Sequence, residues 1–434
     1  MSAKPASLAP EVRPREVWAW AMYDFANSGY TTVVITALFN AYFVAVVAQR
    51  APWATLAWTA ALALSYALVV VTAPLIGAYA DARAAKKRLL AITTAGCILF
   101  TALLALAGPG TLVLAVVGII VSNFFFATGE NLVAAFLPEL ADSRALGRIS
   151  GWGWSFGYLG GLSALGLCLA YLTAVESAGG SAADAVPGCM LITAALFAVA
   201  SLPTFAFLRE RARPAMGRES WATAAVTRVS ETVHHARRYR DLARFLLCTV
   251  FYQAGIQAVV TLAAIYAQEA MGFTTARTLV LILVVNVTAA VGAFCFGYVQ
   301  DRVGHVRAIA LTLLGWILMV LLAWRAESAP LFWLAANIAG LCMGASQSAG
   351  RAMVGYLAPP DRLAEFFGLW GLAVKLASIL GPLTYGLANW LSGGDHRRAI
   401  LVTGSYFLVG LLLLKGIDAE RGRRAALSET AETA

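Results

Sequence analysis

Apolar runs follow one another along the whole chain, each long enough to cross a bilayer and separated by short polar breaks. A spanning helix needs ~20 mostly apolar residues. Twelve segments meet that length: 18–48, 55–80, 88–107, 111–137, 148–173, 186–208, 243–268, 278–300, 306–324, 330–356, 363–390 and 398–415. Only helices and closed barrels satisfy every backbone hydrogen bond in hydrocarbon, and continuous apolar runs exclude the in–out alternation of a barrel. The expected fold class is an all-α polytopic membrane protein of twelve transmembrane helices. Of the 434 residues, 60% are apolar and 13% charged. A single soluble core cannot absorb so many apolar side chains, because cores stop growing beyond ~250–300 residues.

The formal charge of +9 reads as membrane topology rather than nucleic-acid binding, because the basic residues lie in loops between apolar runs. They gather at Lys4, Arg13 and Arg15; at Arg83, Lys86, Lys87 and Arg88; at Arg144 and Arg148; through the central loop (Arg209, Arg211, Arg213, Arg218, Arg228, Arg237, Arg238, Arg240); and at Arg421, Arg423 and Arg424. The alternate loops carry few. Both termini are therefore expected on the cytoplasmic side of the inner (plasma) membrane. The N-terminus lacks the apolar stretch of a cleavable signal. Expected domains are a first half, 1–208, a cytoplasmic central loop, 209–242, a second half, 243–416, and a cytoplasmic tail, 417–434. The stretch 219–240, with Trp221, Val226, Val229 and Val233 between basic residues, is either an amphipathic surface helix or a solvated linker. Six cysteines show no metal-ligand spacing and read as small core hydrophobes. The four histidines, His234, His235, His305 and His396, fall in loops. No phosphate loop, zinc motif or nucleophile triad is legible, so neither a cofactor nor enzymatic activity is expected.

The two halves repeat each other. Gly77, Asp81 and Arg83 after span two match Gly297, Asp301 and Arg302 after span eight, at an offset of 220 for the glycine and aspartate. Glu130 and Pro138 match Arg351 and Pro359 at an offset of 221, and spans five and eleven open on Gly151 and Gly368. Parallel six-helix repeats place a transporter's site near the midplane, between the halves.

The Gly-x-x-x-Asp-Arg-x-Gly pattern with following basic residues resembles the signature loop of the major facilitator superfamily. The second copy is near complete, whereas the first has Ala82-Arg83-Ala84 instead of Arg-x-Gly. The run from Trp20 to Tyr30 (WAMYDFANSGY), Leu137 to Leu140 (LPEL), Gly151 to Gly161 (GWGWSFGYLGG) and Glu365 to Gly368 running on to Gly381-Pro382-Leu383 resemble the autophagy-associated vacuolar amino-acid effluxer family and its bacterial relatives. The resemblance covers essentially the whole chain. It implies a twelve-helix facilitator moving small solutes outward, by analogy amino acids. The Gly-Pro step of the antiporter signature is missing from span five.

An ionisable residue within a span is a functional candidate by default. Glu130 is a candidate proton carrier, or half of a structural pair. Arg351 can clamp an anionic group bidentately, pair with Glu130 across the pseudo-twofold, or snorkel to the membrane surface. Lys375, near midspan, is the candidate for a substrate carboxylate, with Tyr158 at its place in the repeat. Asp24 shares a polar face with Asn27 and Ser28. It can bind an amine, carry a proton, hold a gate, or sit at the favourable end of the helix dipole. Gln347 completes the substrate-binding set. Tyr23, Trp152, Trp154, Tyr252, Gln253 and Gln257 rank second. The glycines of span five read as close helix packing.

The expected function is secondary transport of a small polar or zwitterionic solute by alternating access, coupled to a proton or another ion, in a monomer that needs only its bilayer and its substrate. A lipid or glycolipid flippase and a non-transporting sensor or assembly protein are the alternatives.

Overall fold

The computed structural model describes residues 8–212 and 239–433. The expected amphipathic stretch lies outside the described residues up to position 238. Lys4, Arg213, Arg218, Arg228, Arg237, Arg238, His234 and His235 lie outside them as well.

Among the described residues there are twelve helices long and apolar enough to cross a membrane: α1 Pro14–Val47, α2 Ala54–Arg83, α3 Lys86–Leu106, α4 Leu112–Leu140, α5 Leu146–Ser177, α6 Ala182–Phe207, α7 Arg240–Glu269, α8 Thr275–Val303, α9 His305–Arg325, α10 Ala329–Leu357, α11 Leu363–Leu391 and α12 His396–Leu414. Several extend a turn beyond their apolar run. Pro14 starts α1 at the position where its missing N–H costs nothing, and Ser181 caps α6 by accepting from the Asp184 N–H. Polar first turns of this kind leave no hydropathy signal. The expected tail is partly a thirteenth helix, α13 Ala419–Thr433.

Within the first six helices α1 packs on α5 and α6, α2 on α4, and α3 on α4 and α6. The second six repeat this arrangement: α7 packs on α11 and α12, α8 on α10, and α9 on α10 and α12. The two sets meet along α5 with α8 and α10, and along α11 with α2 and α4. Both termini lie on one side, called here the terminus side.

Glycine decides how closely these helices approach. A Cβ on Gly151 of α5 would run into the Ala293 carbonyl of α8, and one on Gly368 of α11 would lie 2.6 Å from the Ala73 carbonyl of α2. The two contacts are the same contact with the halves exchanged, the glycine 217 residues later and the carbonyl 220 residues earlier. Within the first half, Gly160 sits against the Phe25 carbonyl of α1. The span-five glycines are close-packing positions, as their spacing implied.

One feature had no sequence signal. The outer part of α1 is π-helical over Tyr30–Ala37 and again over Phe43–Val47. The Tyr30 ring, stacked 5.1 Å from Phe126 and bonded to Ser122 Oγ at 2.8 Å, anchors the start of the wide turn.

Gly160→Ala, which forces a methyl onto the α1 backbone, should destabilise the purified protein by about 1–3 kcal/mol. Gly166→Ala, facing open space in the same helix, should leave stability unchanged or slightly raised. Thermal unfolding of both variants checks this; equal effects would show that α1 and α5 do not pack this closely.

Candidate functional site

Two ion pairs cross between the halves inside the bundle, and they differ in kind. Arg351 of α10 meets Asp24 of α1, with Nη1 2.6 Å from Oδ2. The guanidinium also donates from Nε to Ser150 Oγ at 3.1 Å and from Nη2 to the Ser150 carbonyl at 2.9 Å. Ser150 Oγ in turn donates to the Ser348 carbonyl. The rings of Trp20 and Trp154 lie 4.6 and 5.5 Å from the guanidinium carbon, within cation–π range. Trp20 is fixed by donation from its indole N–H to the Val133 carbonyl at 2.8 Å. Arg351 is only 3% exposed. The rigid fork of the guanidinium is matched on three of its corners. Gly153 makes room for this cluster: a Cβ there would strike both Arg351 Nη2 and Asp24 Oδ2.

The second pair is loose. Lys375 of α11 lies 3.9 Å from Glu130 of α4, beyond hydrogen-bond length. The Lys375 side chain is 13% exposed and that of Glu130 32%. The ammonium sits 5.2 Å from the centre of the Tyr66 ring of α2. On the same α11 face, Gly371 abuts the Asn131 amide.

Glu130 and Arg351 therefore do not pair with each other. They hold matching places in the repeat, but Arg351 turns toward α1 and α5, where Ser150 and Trp20 receive it, and Glu130 turns toward α11. Arg351 does not snorkel either. Asp24 lies well inside α1, away from the start of the helix, so its partner is a side chain rather than the dipole.

The other candidates scatter around these pairs. Asn27 is buried and accepts from Ser28 Oγ at 3.4 Å. Gln347 accepts from Gln253 Nε2 at 2.7 Å, a contact within the second half. Tyr158 packs at a tilt against Trp154, with ring centres 6.0 Å apart. Tyr23 is tied to Thr94 Oγ1 at 2.8 Å. Trp152 donates to Tyr298 OH, which places it in the α5–α8 seam rather than at the pairs. Gln257 is half-buried. Among the described residues, Thr128 Oγ1, Asn131 Nδ2, Trp154 Nε1 and Tyr252 OH are buried with no hydrogen-bond partner, so the bundle interior holds donors still available to a ligand or water.

On the terminus side the repeated aspartates reach across the halves to cap helices. Asp301 of α8 accepts from the N–H groups of Gly147 and Arg148 at 2.9 and 3.3 Å, at the start of α5. Asp81 of α2 accepts from the Glu365 N–H at 3.0 Å, at the start of α11. Carboxylates here match the positive end of the helix dipole. Gly77 and Gly297 let each aspartate helix approach: a Cβ on Gly77 would strike the Ala364 carbonyl, and one on Gly297 the Gly147 carbonyl. Arg83 and Arg302 are exposed and make no ion pair among the described residues. In the first copy, where Arg-x-Gly is missing, the buried Lys86 stands between Asp81 and Glu139 and pairs with both. Ser150, Trp20, Lys86 and Glu139 are the site residues that sequence reasoning missed as such. Three of them lie in quoted motifs, and only Ser150, just before the glycine run, carried no signal.

A family profile described as "Vacuole effluxer Atg22 like" matches residues 55–427. An uncharacterised MFS-type transporter of Bacillus subtilis, YxiO, is 25% identical over 93% of this chain and 94% of its own length. Autophagy-related protein 22-1 of Aspergillus niger is 27% identical over 54% of this chain, which spans only 41% of the fungal protein. Among solved structures, the human organic anion transporter MFSD10 superposes with a TM-score of 0.71 at 18% identity, covering 93% of this chain and 100% of that one. A bacterial homologue of the iron transporter ferroportin in its outward-facing state gives 0.68 at 13% identity, covering 93% and 99%. These structures share the major facilitator fold.

Removing one partner of a buried ion pair costs about 3–5 kcal/mol, because the other charge is left uncompensated. Asp24→Asn and Arg351→Gln should each lower stability on that scale, and the double variant should lose clearly less than their sum. Thermal unfolding of the three variants provides the cycle; strict additivity would show that the two groups are not coupled.

Proposed function

The chain belongs to the Atg22-like vacuole effluxer family and is an integral, multi-pass membrane transporter of the major facilitator type, and from that premise we propose that it exports a small zwitterionic solute, an amino acid, in exchange for protons. The observation that carries this reading is the loose Lys375–Glu130 pair. Two opposite charges 3.9 Å apart, each partly exposed, are held near each other without satisfying each other. An α-carboxylate can take the Lys375 ammonium, and the adjacent α-ammonium can take the Glu130 carboxylate. A proton on Glu130 removes the charge that the α-ammonium binds and so releases the solute, and its departure restores the site. Proton and solute thereby compete for one carboxylate, which is the elementary requirement for exchange.

The Asp24–Arg351 pair has a different part in this scheme. It joins α1 of one half to α10 of the other and is sealed by two indoles, so it serves as a latch that holds through binding and opens when the halves rock. The Asp81 and Asp301 caps close the terminus side. On this reading the rocking bodies are residues 1–208 and 243–416, linked by 209–242. The terminus side faces the cytoplasm of a bacterial inner membrane, in line with the basic loops gathered there. The substrate class and the export direction rest on family resemblance, and the charge arrangement supports the zwitterion.

The test is thermal stabilisation of the purified protein by amino acids, organic acids, sugars and lysolipids at two pH values. A ligand at ~100 times its dissociation constant adds ~2.7 kcal/mol of stability. An amino-acid hit that disappears in Lys375→Ala is expected; a response confined to lysolipids would favour a lipid flippase instead. In reconstituted vesicles, Glu130→Gln should abolish pH-driven transport while leaving solute exchange. Unaltered pH-driven transport in that variant removes Glu130 as the carrier.

A further inference from the structure

A partly open space lies on the terminus side, between the halves. It is a cavity of about 240 Å³ whose walls include Glu139 at the end of α4, Leu363 at the start of α11, Arg211 and Ala212 just after α6, and Arg423 of α13.

Each half brings its own polar clasp to this cavity. After α6, the Glu210 carboxylate accepts from the N–H groups of Lys86 and Lys87 at 2.7 and 3.0 Å. Next to it, Arg211 donates from Nη2 to Glu16 at 2.8 Å and from its backbone N–H to Glu139 at 2.9 Å. On the other side, α13 is riveted to α7 by Arg421, whose Nε and Nη2 lie 2.8 and 2.6 Å from the Asp241 carboxylate. It is also held to α10, because Tyr356 OH lies 2.9 Å from Glu420. These clasps fix the positions of Arg211, at the start of the central loop, and of Arg423.

The charges around the cavity do not balance. Glu139 is matched by the buried Lys86, and Arg211 by Glu16. Arg423 has no carboxylate within ion-pair distance among the described residues. Its Nη1 donates to the Tyr356 carbonyl at 3.0 Å, and its guanidinium lies 5.4 Å from the centre of the same ring. Burial pushes its pKa below the usual arginine range, and the carboxylates of Asp142 and Glu420 offset this only from beyond ion-pair distance. A planar fork of donors lining a cavity is the arrangement that recognises phosphate and related oxyanions.

We propose that this cavity is a regulatory site for a phosphate-type oxyanion, held chiefly by Arg423 with Arg211 opposite. Its walls come from both halves, so they part when the terminus side opens. An occupant binds the closed arrangement and not the open one, and it must hold the terminus side shut in proportion to that difference in affinity. The same chemistry can arrive as free phosphate or as a phosphomonoester lipid headgroup.

The experiment uses the full chain and needs no knowledge of the transported solute, so it stands or falls apart from the export reading. In detergent, inorganic phosphate is titrated against chloride at constant ionic strength; in a parallel arm, the protein sits in nanodiscs of phosphatidylcholine with or without phosphatidic acid. A saturable rise in Tm of about 2 °C or more is expected in at least one arm, and the arm that responds identifies the source. Arg423→Gln should abolish the rise. Ala212→Phe, which fills the cavity while keeping both arginines, should abolish it as well, and this variant decides the matter if Arg423→Gln does not fold. No rise in either arm, a rise matched by chloride, or a rise that survives Ala212→Phe overturns the proposal.

Discussion

A charge placed in hydrocarbon must find its counter-charge inside the protein, and the interior of this molecule is organised around that requirement. Arg351 and Lys375, inside the bundle, each take a partner from the opposite half, Arg351 from α1 and Lys375 from α4. The halves are therefore held by electrostatics at the centre and by backbone contact through glycine at the seams. Parting them exposes unmatched charge unless something else supplies the match. In the exchange proposed above, that something is the solute or the proton, and the cost of an unpaired charge is what would couple binding to rocking.

The two pairs divide the work because their surroundings differ. Around Arg351 the side chain of Gly153 is absent, Ser150 offers both a hydroxyl and a carbonyl, and two indoles shut out water. Around Lys375 there is one tyrosine face and a carboxylate too distant to bond. The same charge types thus give a tightly bonded, buried pair at one place and a loose, part-exposed pair at the other. On the terminus side the aspartate caps show the matching economy: a single carboxylate satisfies orphan N–H groups of a helix start and simultaneously closes the seam between halves.

Fold class, helix number and pseudo-symmetry were legible in the sequence because each depends on length and period alone. The glycine contacts at Gly151 and Gly368 followed for the same reason, since the repeat displays them twice. Pairing was not legible. Glu130 and Arg351 occupy equivalent positions, and sequence position invites their union. Which way each side chain turns depends on neighbours such as Ser150 and Gly371 that carry no charge of their own. Lys86 was visible only as one basic residue among several in a loop; its burial between Asp81 and Glu139 depends on where the α4–α5 corner comes to rest. The cavity at Arg423 was invisible for a further reason, because residues expected only as a cytoplasmic tail fold back onto α7 and α10.

The π-helical stretch of α1 bears on how the two ends of that helix relate. Asp24 lies below it, locked to Arg351, and Phe39 and Phe43 lie within or beyond it, packed against Trp58. Wide turns bend more readily than α-turns because their hydrogen bonds span more chain. The helix is in effect a stiff rod joined to a compliant one, with the joint just outside the latch. Bending at that joint would move the far mouth of the bundle while leaving the buried pair in place.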